Sequence, residues 1–199
     1  MRHLTLEHSK LAYQADFALY GSAILLLTGF LLVTGAREQW PEMLALALAG
    51  TASWTGIEYA LHRFVLHGLI PFRRWHLLHH QRPRALIFTP TIMSAILFAL
   101  LVFLPALVLG GLLRSCALTV GMLIGYLTYT ITHHAIHHWR SDNVWLKNRK
   151  RWHALHHGNV EHSGCYGVPS SFWDHVFGRT RRQLTRRTTS KSGENRRGK

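Results

Sequence analysis

Residues 17–36 run for 20 positions without a charge, long enough for one helical crossing of roughly 30 Å of hydrocarbon. The run follows a polar lead of 16 residues and has no small-residue cleavage site, so it reads as a retained anchor rather than a signal peptide. A second apolar run, 41–61, is interrupted only near its end by Glu58. A third lies within 86–113, with its span at about 88–112 and a kink expected at Pro105. The fourth, 116–132, is short and rich in Gly and Thr. The expected fold is therefore an all-α integral membrane protein, with four transmembrane helices in two hairpins and both termini on one side. Such a chain is not an ordinary water-soluble globule, although its mean hydropathy is only +0.04. That value averages apolar spans with segments dense in Arg and His.

The charges give the sidedness. Of 23 Lys and Arg, 2 precede the first run, 5 lie in 62–90 and 14 follow residue 132, which leaves only Arg37 and Arg114 for the two opposite turns. By the positive-inside rule the termini and the 62–90 segment face the cytoplasm. The net charge of +14 is thus mainly a topology signal, and nucleic acid is not an expected partner. Three stretches result: a cytoplasmic lead (1–16), a membrane-embedded domain (17–180) and a basic tail (181–199). The tail is poor in apolar residues, so it is expected to be disordered and to lie on anionic lipid.

Twelve of the 16 histidines fall in four clusters, all on the expected cytoplasmic face. These are His62 and His67; His76, His79 and His80; His133, His134, His137 and His138; and His153, His156 and His157. The first two follow the second span and the last two the fourth, so two packed hairpins would bring all four together. On a helix, positions i, i+3 and i+4 share a face while i and i+1 diverge. In each His-x-x-His-His one histidine can therefore face one metal while another faces a second, and a two-metal site explains the doubled His-His. His62 and His67, at i+5, diverge on an ideal helix, so the chain is expected to bend or unwind between them. A tract that merely buffers zinc would be clumped in a disordered tail, yet residues 181–199 contain no histidine. His3, His8, His162 and His175 stand alone and are not expected to be ligands.

Cys116 and Cys165 make no Cys-x-x-Cys, which excludes a thiolate site and a disulfide framework. There is no Glu-x-x-His of the kind soluble di-iron bundles use. Near the clusters lie only Glu58, Asp142, Glu161 and Asp174, so the site must be nearly all imidazole. Imidazole suits Fe, Zn, Cu and Ni. About ten ligands for two ions argue against hydrolytic zinc, which commonly uses three protein ligands and an open position. Oxygen chemistry at iron fits better.

The segments EYALHRFVLH (58–67), HLLHHQRP (76–83) and LIFTP (86–90), then YTITHHAIHH (129–138), WHALHH (152–157) and GVPSSFWDHVFG (167–178), resemble the fatty acid hydroxylase superfamily. Within it they look most like the fatty acid 2-hydroxylases, over roughly residues 54–180 and in the same order. The resemblance implies a di-metal, oxygen-dependent hydroxylase acting on a long acyl chain. By analogy the ligands are His62, His67, His76, His79, His80, His133, His137, His153, His156 and His157. The family pattern leaves out His134 and His138. Helical spacing expects His76 and His80 to share one metal with His62, His67 and His157, and His79 to join His133, His137, His153 and His156. Residues expected to orient imidazole N–H groups are Glu58, Asp142 and Asp174, with His134 and His138 as further candidates.

The cofactors implied are two metal ions, iron in function with zinc as a substitute, together with dioxygen and electrons from an external donor. Residues 1–16 are too short for the haem domain that some relatives carry, so a separate electron-transfer protein is expected. The stretch at 158–166 departs from the family's usual loop. An acyl lipid is expected to enter from the bilayer with its head near Arg63, Arg73, Arg74 or Arg84. Trp75, Trp139, Trp152 and Trp173 are expected to anchor at the interface. A sterol or carotenoid hydroxylase, or a desaturase, would use the same histidines. A non-catalytic membrane zinc protein is the alternative from another class. Ion transport is disfavoured because the first and third spans, as drawn, contain no acidic residue.

Overall fold

Ser9 opens the first helix by accepting a hydrogen bond from the backbone N–H of Ala12 at 3.2 Å, which satisfies one of the otherwise orphaned donors of the first turn. The computed structural model describes residues 7, 9–158 and 164–178, so the expectations for the lead before residue 7, for His3, His8, Glu161 and His162, and for the tail at 181–199 lie outside the described residues. Seven α-helices follow in order: α1 (Lys10–Thr34), α2 (Trp40–Ala60), α3 (Phe72–Gln81), α4 (Thr91–Phe98), α5 (Leu104–His138), α6 (Val144–His157) and α7 (Phe172–Val176). Among the described residues there is no strand, only an isolated bridge between Glu7 and Ile87.

Two π-helical segments interrupt the regular pattern, Leu61–Leu66 after α2 and Ala99–Phe103 before α5. The second immediately precedes Pro105, which has no N–H to offer the carbonyl four residues back. The wider turn accommodates that loss, where a kink was expected from the sequence. The sharp break comes later, at Gly111, where φ is 78° and ψ 177°. A side chain is disfavoured at that left-handed φ, so glycine carries it.

The chain divides into two compact units. One takes in residues up to Glu58 together with Arg82–Ile131, and the other Tyr59–Gln81 together with residues from Thr132 onward. The first unit packs around Tyr20, Trp54, Met122, Leu123 and Tyr126. Its rings meet edge to face, Tyr20 on Tyr126 at 4.7 Å and Trp54 on Tyr126 at 5.3 Å, while Phe98 stacks on Trp54 at 5.5 Å. A second cluster unites Leu31, Met43, Cys116, Ala117 and Val120.

Small residues bring α2 and α5 into backbone contact, as expected for helices that gain little from apolar burial in lipid. A Cβ on Gly121 would lie 1.9 Å from the Ala47 carbonyl oxygen, and one on Gly50 would lie 2.5 Å from that of Leu118. Gly121→Leu must therefore force the helices apart. It is expected to destabilise the protein by at least the roughly 1–3 kcal/mol typical of overpacking, read as a lower Tm in detergent. An unchanged Tm would show that this contact does not hold the unit together.

Two stretches, Lys10–Thr34 and Thr91–His138, are long and apolar enough to cross a membrane, and the most apolar window of each is almost wholly unburied within the protein. Side chains such as Leu25, Leu26, Val33, Val108 and Leu109 point outward. α2 does not reach the same apolarity, because Ala, Gly, Thr and Ser fill much of its 21 residues. α1 also begins earlier than the expected span and includes Asp16. This carboxylate is 3% exposed and accepts hydrogen bonds from Thr91 Oγ1 at 2.8 Å and the Tyr126 hydroxyl at 3.3 Å. It stands one residue before the expected first span at 17–36.

Candidate metal centre

All four histidine clusters belong to the second unit. Its π segment places the first pair. The backbone N–H of His67 donates to the His62 carbonyl at 3.2 Å, an i→i+5 bond, so the two rings share a face with centroids 5.3 Å apart. The helix widens here, whereas a bend or an unwinding was expected. A π turn brings i and i+5 together while keeping the backbone bonded. On α3, His76 and His80 lie one turn apart with Nε2 atoms 3.1 Å from each other, and His79 points elsewhere. α5 ends with His133 and His137, whose Nε2 atoms are 3.3 Å apart. α6 starts at Asn143, whose side chain caps the N–H of Leu146, and it buries Leu146, Arg149, His153 and His156 on one face.

Nine imidazoles converge in two groups. His62, His67, His76, His80 and His156 form the first, and His79, His133, His137 and His153 the second. Within each group the donor atoms all lie within 4.8 Å of one another. In the first, Nε2 of His62 is 3.0 Å from Nε2 of His76, and Nε2 of His67 is 3.1 Å from Nε2 of His156. In the second, Nε2 of His137 is 2.8 Å from Nε2 of His153. Metal–imidazole bonds of about 2.1 Å place neighbouring donors about 3.0 Å apart in an octahedron and about 3.4 Å apart in a tetrahedron, which matches these separations.

Their electrostatics also suit a metal. Burial is the main cause that lowers the pKa of His62 to about 3, of His79 to about 2 and of His80 to about 3, with neighbouring histidines adding to it. His76, His153 and His156 are likewise held well below the usual value by burial first. Neutral rings present lone pairs at pH 7. Nδ1 of His62 lies 2.5 Å from the Tyr166 carbonyl oxygen, and Nδ1 of His156 lies 3.0 Å from that of Gly164. A carbonyl can only accept, so both Nδ1 atoms carry the proton and both Nε2 atoms offer lone pairs. Both ring nitrogens of His79, and Nδ1 of His80 and His153, are buried without a hydrogen-bond partner. Orphaned buried nitrogens are costly, and a ligand taken at His79 Nε2 removes one of them.

A profile of the fatty acid hydroxylase family matches residues 47–179, a stretch that holds every one of these histidines. The chain belongs to that family. It is 33% identical over 150 residues to the dihydroceramide fatty acyl 2-hydroxylase FAH2 of Arabidopsis thaliana, an alignment covering 70% of this chain and 62% of the relative. With the ceramide very long chain fatty acid hydroxylase scs7 of Schizosaccharomyces pombe the figures are 31% identity, 66% and 41%. With the fatty acid 2-hydroxylase of Mus musculus they are 29%, 67% and 39%. The chain thus spans about three fifths of the length of the plant relative and less of the other two. Among solved structures, full-length scs7p, with only its hydroxylase domain visible, superposes with a TM-score of 0.72 at 28% identity, covering 87% of this chain and 67% of that one. Membership in this family and the two long apolar stretches together make the protein membrane-associated.

Within this family member, the structure redistributes several residues singled out from the sequence. His156 sits in the first group, where His157 was expected. His157 instead brings Nε2 to 2.9 Å from Nε2 of His153 and stacks on the His80 ring at 4.2 Å, joining neither group of mutually close donors. Positions 156 and 157 flank the azimuth of 153 on either side, so spacing alone had no means to rank them; the Gly164 carbonyl turns His156 toward His67. His134 and His138 stack on each other at 4.5 Å and join neither group. Asp142 is solvent-exposed and paired with Lys147 at 2.7 Å, so it orients no imidazole. Glu58 is buried at the end of α2, in the first unit. Asp174 accepts from backbone N–H groups rather than from an imidazole.

Arg63 is also unlike the expectation of a lipid-head partner. Its guanidinium donates to the Tyr59 hydroxyl at 3.1 Å and lies over the rings of Phe64 and Phe177 at 4.7 and 5.5 Å. Arg73, Arg74 and Arg84 remain exposed. The Gly164 and Tyr166 carbonyls were missed by a reading confined to side chains. The signal lay in the departing loop itself, where glycines at 164 and 167 bracket a buried Cys165–Tyr166 pair.

Proposed function

We propose that the protein is a membrane-bound, di-iron, dioxygen-dependent hydroxylase of long acyl chains, acting at the 2-position of a fatty acid or fatty-acyl lipid. The observation that carries this reading is the pair of imidazole-only groups, buried in a family whose named relatives are fatty acid and ceramide 2-hydroxylases. The ligands in this reading are the nine converging histidines, with His157 completing the set of ten. Imidazole-rich donor sets suit iron, and zinc can substitute because it binds such sites more tightly than ferrous iron does.

The residues bind, orient and exclude water. His62 and His156 are held by carbonyls with Nε2 turned inward, and burial keeps the rings neutral. When bound, the metal pair supplies dioxygen activation. The net reaction places one oxygen atom in a C–H bond and releases the other as water, using two electrons and two protons from an external donor protein. The four-crossing topology with a cytoplasmic metal site is supported by the charge asymmetry, the length of α2 and the break at Gly111. In the same arrangement residues 17–180 are the membrane-embedded domain, and exposed Arg73, Arg74 and Arg84 are available to a polar head.

Cells expressing the wild type or the His76→Ala, His153→Ala double variant, grown with isotopically labelled dioxygen, test this by lipid mass spectrometry. A 2-hydroxyacyl lipid carrying one labelled oxygen is expected with the wild type only. An unsaturated product without label would assign desaturation instead. No product from folded, iron-loaded protein supplied with reductant would leave a non-catalytic metal protein.

A further inference from the structure

Resting on the metal-centre reading, we propose that Asp174 is a positioning residue for one of the two histidine groups, holding His62 and His156 through the backbone of residues 164–167. Asp174 is fully buried, and its hydrogen bonds go to backbone N–H groups rather than to an imidazole. Its Oδ1 accepts from the N–H of Tyr166 and its Oδ2 from the N–H of Gly167, both at 2.9 Å. The carbonyl of Tyr166 then accepts from Nδ1 of His62, and that of Gly164 from Nδ1 of His156. One carboxylate thus pins a short strip of backbone, and that strip fixes two imidazoles of the first group, one after α2 and one on α6.

Two features show that this strip is built for the purpose. Cys165, between the two carbonyls, is 2% exposed and has a φ of 59°. A left-handed conformation at a buried residue with a side chain is strained and persists only where its surroundings impose it. At Gly167 a Cβ would lie 2.0 Å from the Ser170 carbonyl oxygen and 3.2 Å from Asp174 Oδ2, so the carboxylate's approach depends on glycine there. The second group is held differently. Nδ1 of His79 and Nδ1 of His153 have no hydrogen-bond partner, so no equivalent carbonyl clamp acts on them. The consequence is an asymmetric centre, with the affinity of only the first group under the control of Asp174.

The test is metal stoichiometry and affinity, not turnover. Full-length protein in detergent is loaded with zinc(II), and metal per chain and chelator competition are measured for wild type, Asp174→Asn, His62→Ala and His79→Ala. The wild type is expected to hold two ions. Asp174→Asn, which keeps one acceptor oxygen, should weaken one ion by the roughly 10–100-fold typical of losing a ligand's outer partner and leave the other unchanged. Adding it to His62→Ala should leave the ion of the second group unchanged, whereas adding it to His79→Ala should weaken the one ion that remains. Gly167→Ala, which leaves the carboxylate intact but displaces the same strip, should reproduce the selective loss if Asp174→Asn compromises folding. Equal weakening of both ions, by either variant, would make Asp174 a general structural residue and overturn the proposal, as would two ions of wild-type affinity. A wild type that binds no zinc would instead overturn the metal-centre reading.

Discussion

Replacing His79 by alanine is expected to reduce the metal content to about one ion per chain and to abolish the proposed hydroxylation. His79 lies on α3 beside His76 and His80 but belongs to the other group, and its ring meets those of His133 and His137 at 4.8 and 4.9 Å. The group it completes has only four close donors, against five in the other. Removing a direct donor should cost activity well beyond the roughly 10–100-fold attributed to outer partners. His134→Ala and His138→Ala provide the contrast. They lie on the same helix as His133 and His137, one residue further on, and belong to neither group of donors, so metal content and product yield should be unchanged. Metal analysis beside labelled-lipid quantitation decides the matter. A His79→Ala protein with two ions and full turnover would remove the second group from the mechanism.

Acidification of the metal-free protein is expected to unfold it well before its carboxylates titrate. In the unfolded chain a histidine takes up its proton near pH 6.5. In the folded protein His62 and His79 resist protonation until about 3 and about 2, chiefly because burial penalises the charged ring. Between those limits the unfolded state binds more protons, so stability is complete above pH 6.5 and falls as the pH drops. At pH 5 these two rings alone account for a loss on the order of 4 kcal/mol, whatever their folded values below that pH. His67 and His157, less buried and both lowered to about 4, add smaller contributions. A loss of that size is a large part of the stability of a typical domain. Metal should protect, since a ligand that binds only the folded form stabilises it by mass action. Thermal unfolding in detergent at pH 7, 6 and 5, with and without zinc(II), measures both effects. A Tm of the metal-free protein that does not move between pH 7 and 5 would mean that the rings are hydrated and not buried.

The histidines themselves were readable because ligand chemistry needs particular atoms at particular helical intervals. Two clusters at i, i+3 and i+4 pointed to two groups, and nine of the ten expected ligands lie in the two groups of close donors. The errors have one origin. Between His62 and His67 a bend or an unwound turn was expected, whereas a π turn aligns them. His156 was expected beside His153 and joins the first group instead, where the Gly164 carbonyl holds its Nδ1, while His157 joins neither group. Asp142 looked like a partner for imidazole because it is near in sequence, and it is solvated in fact. Arg63 was credited to a lipid head and is engaged by Tyr59, Phe64 and Phe177.

What the amino-acid sequence determined by itself was local and compositional: helices long and apolar enough for lipid, the scarcity of cysteines and acidic residues near the histidines, the spacing of histidines along each helix, and the family. These follow from side-chain chemistry and from the 3.6-residue period, both of which are properties of a short stretch of chain. The tertiary structure alone decided which imidazoles meet, which nitrogen of His62 and of His156 carries the proton, and that a buried aspartate meets, at backbone N–H groups, the segment whose C=O groups hold those two rings. Every residue has those groups, so they leave no mark in a sequence. Their roles depend on where the fold brings distant segments together, as Gly164 meets His156 and Tyr166 meets His62.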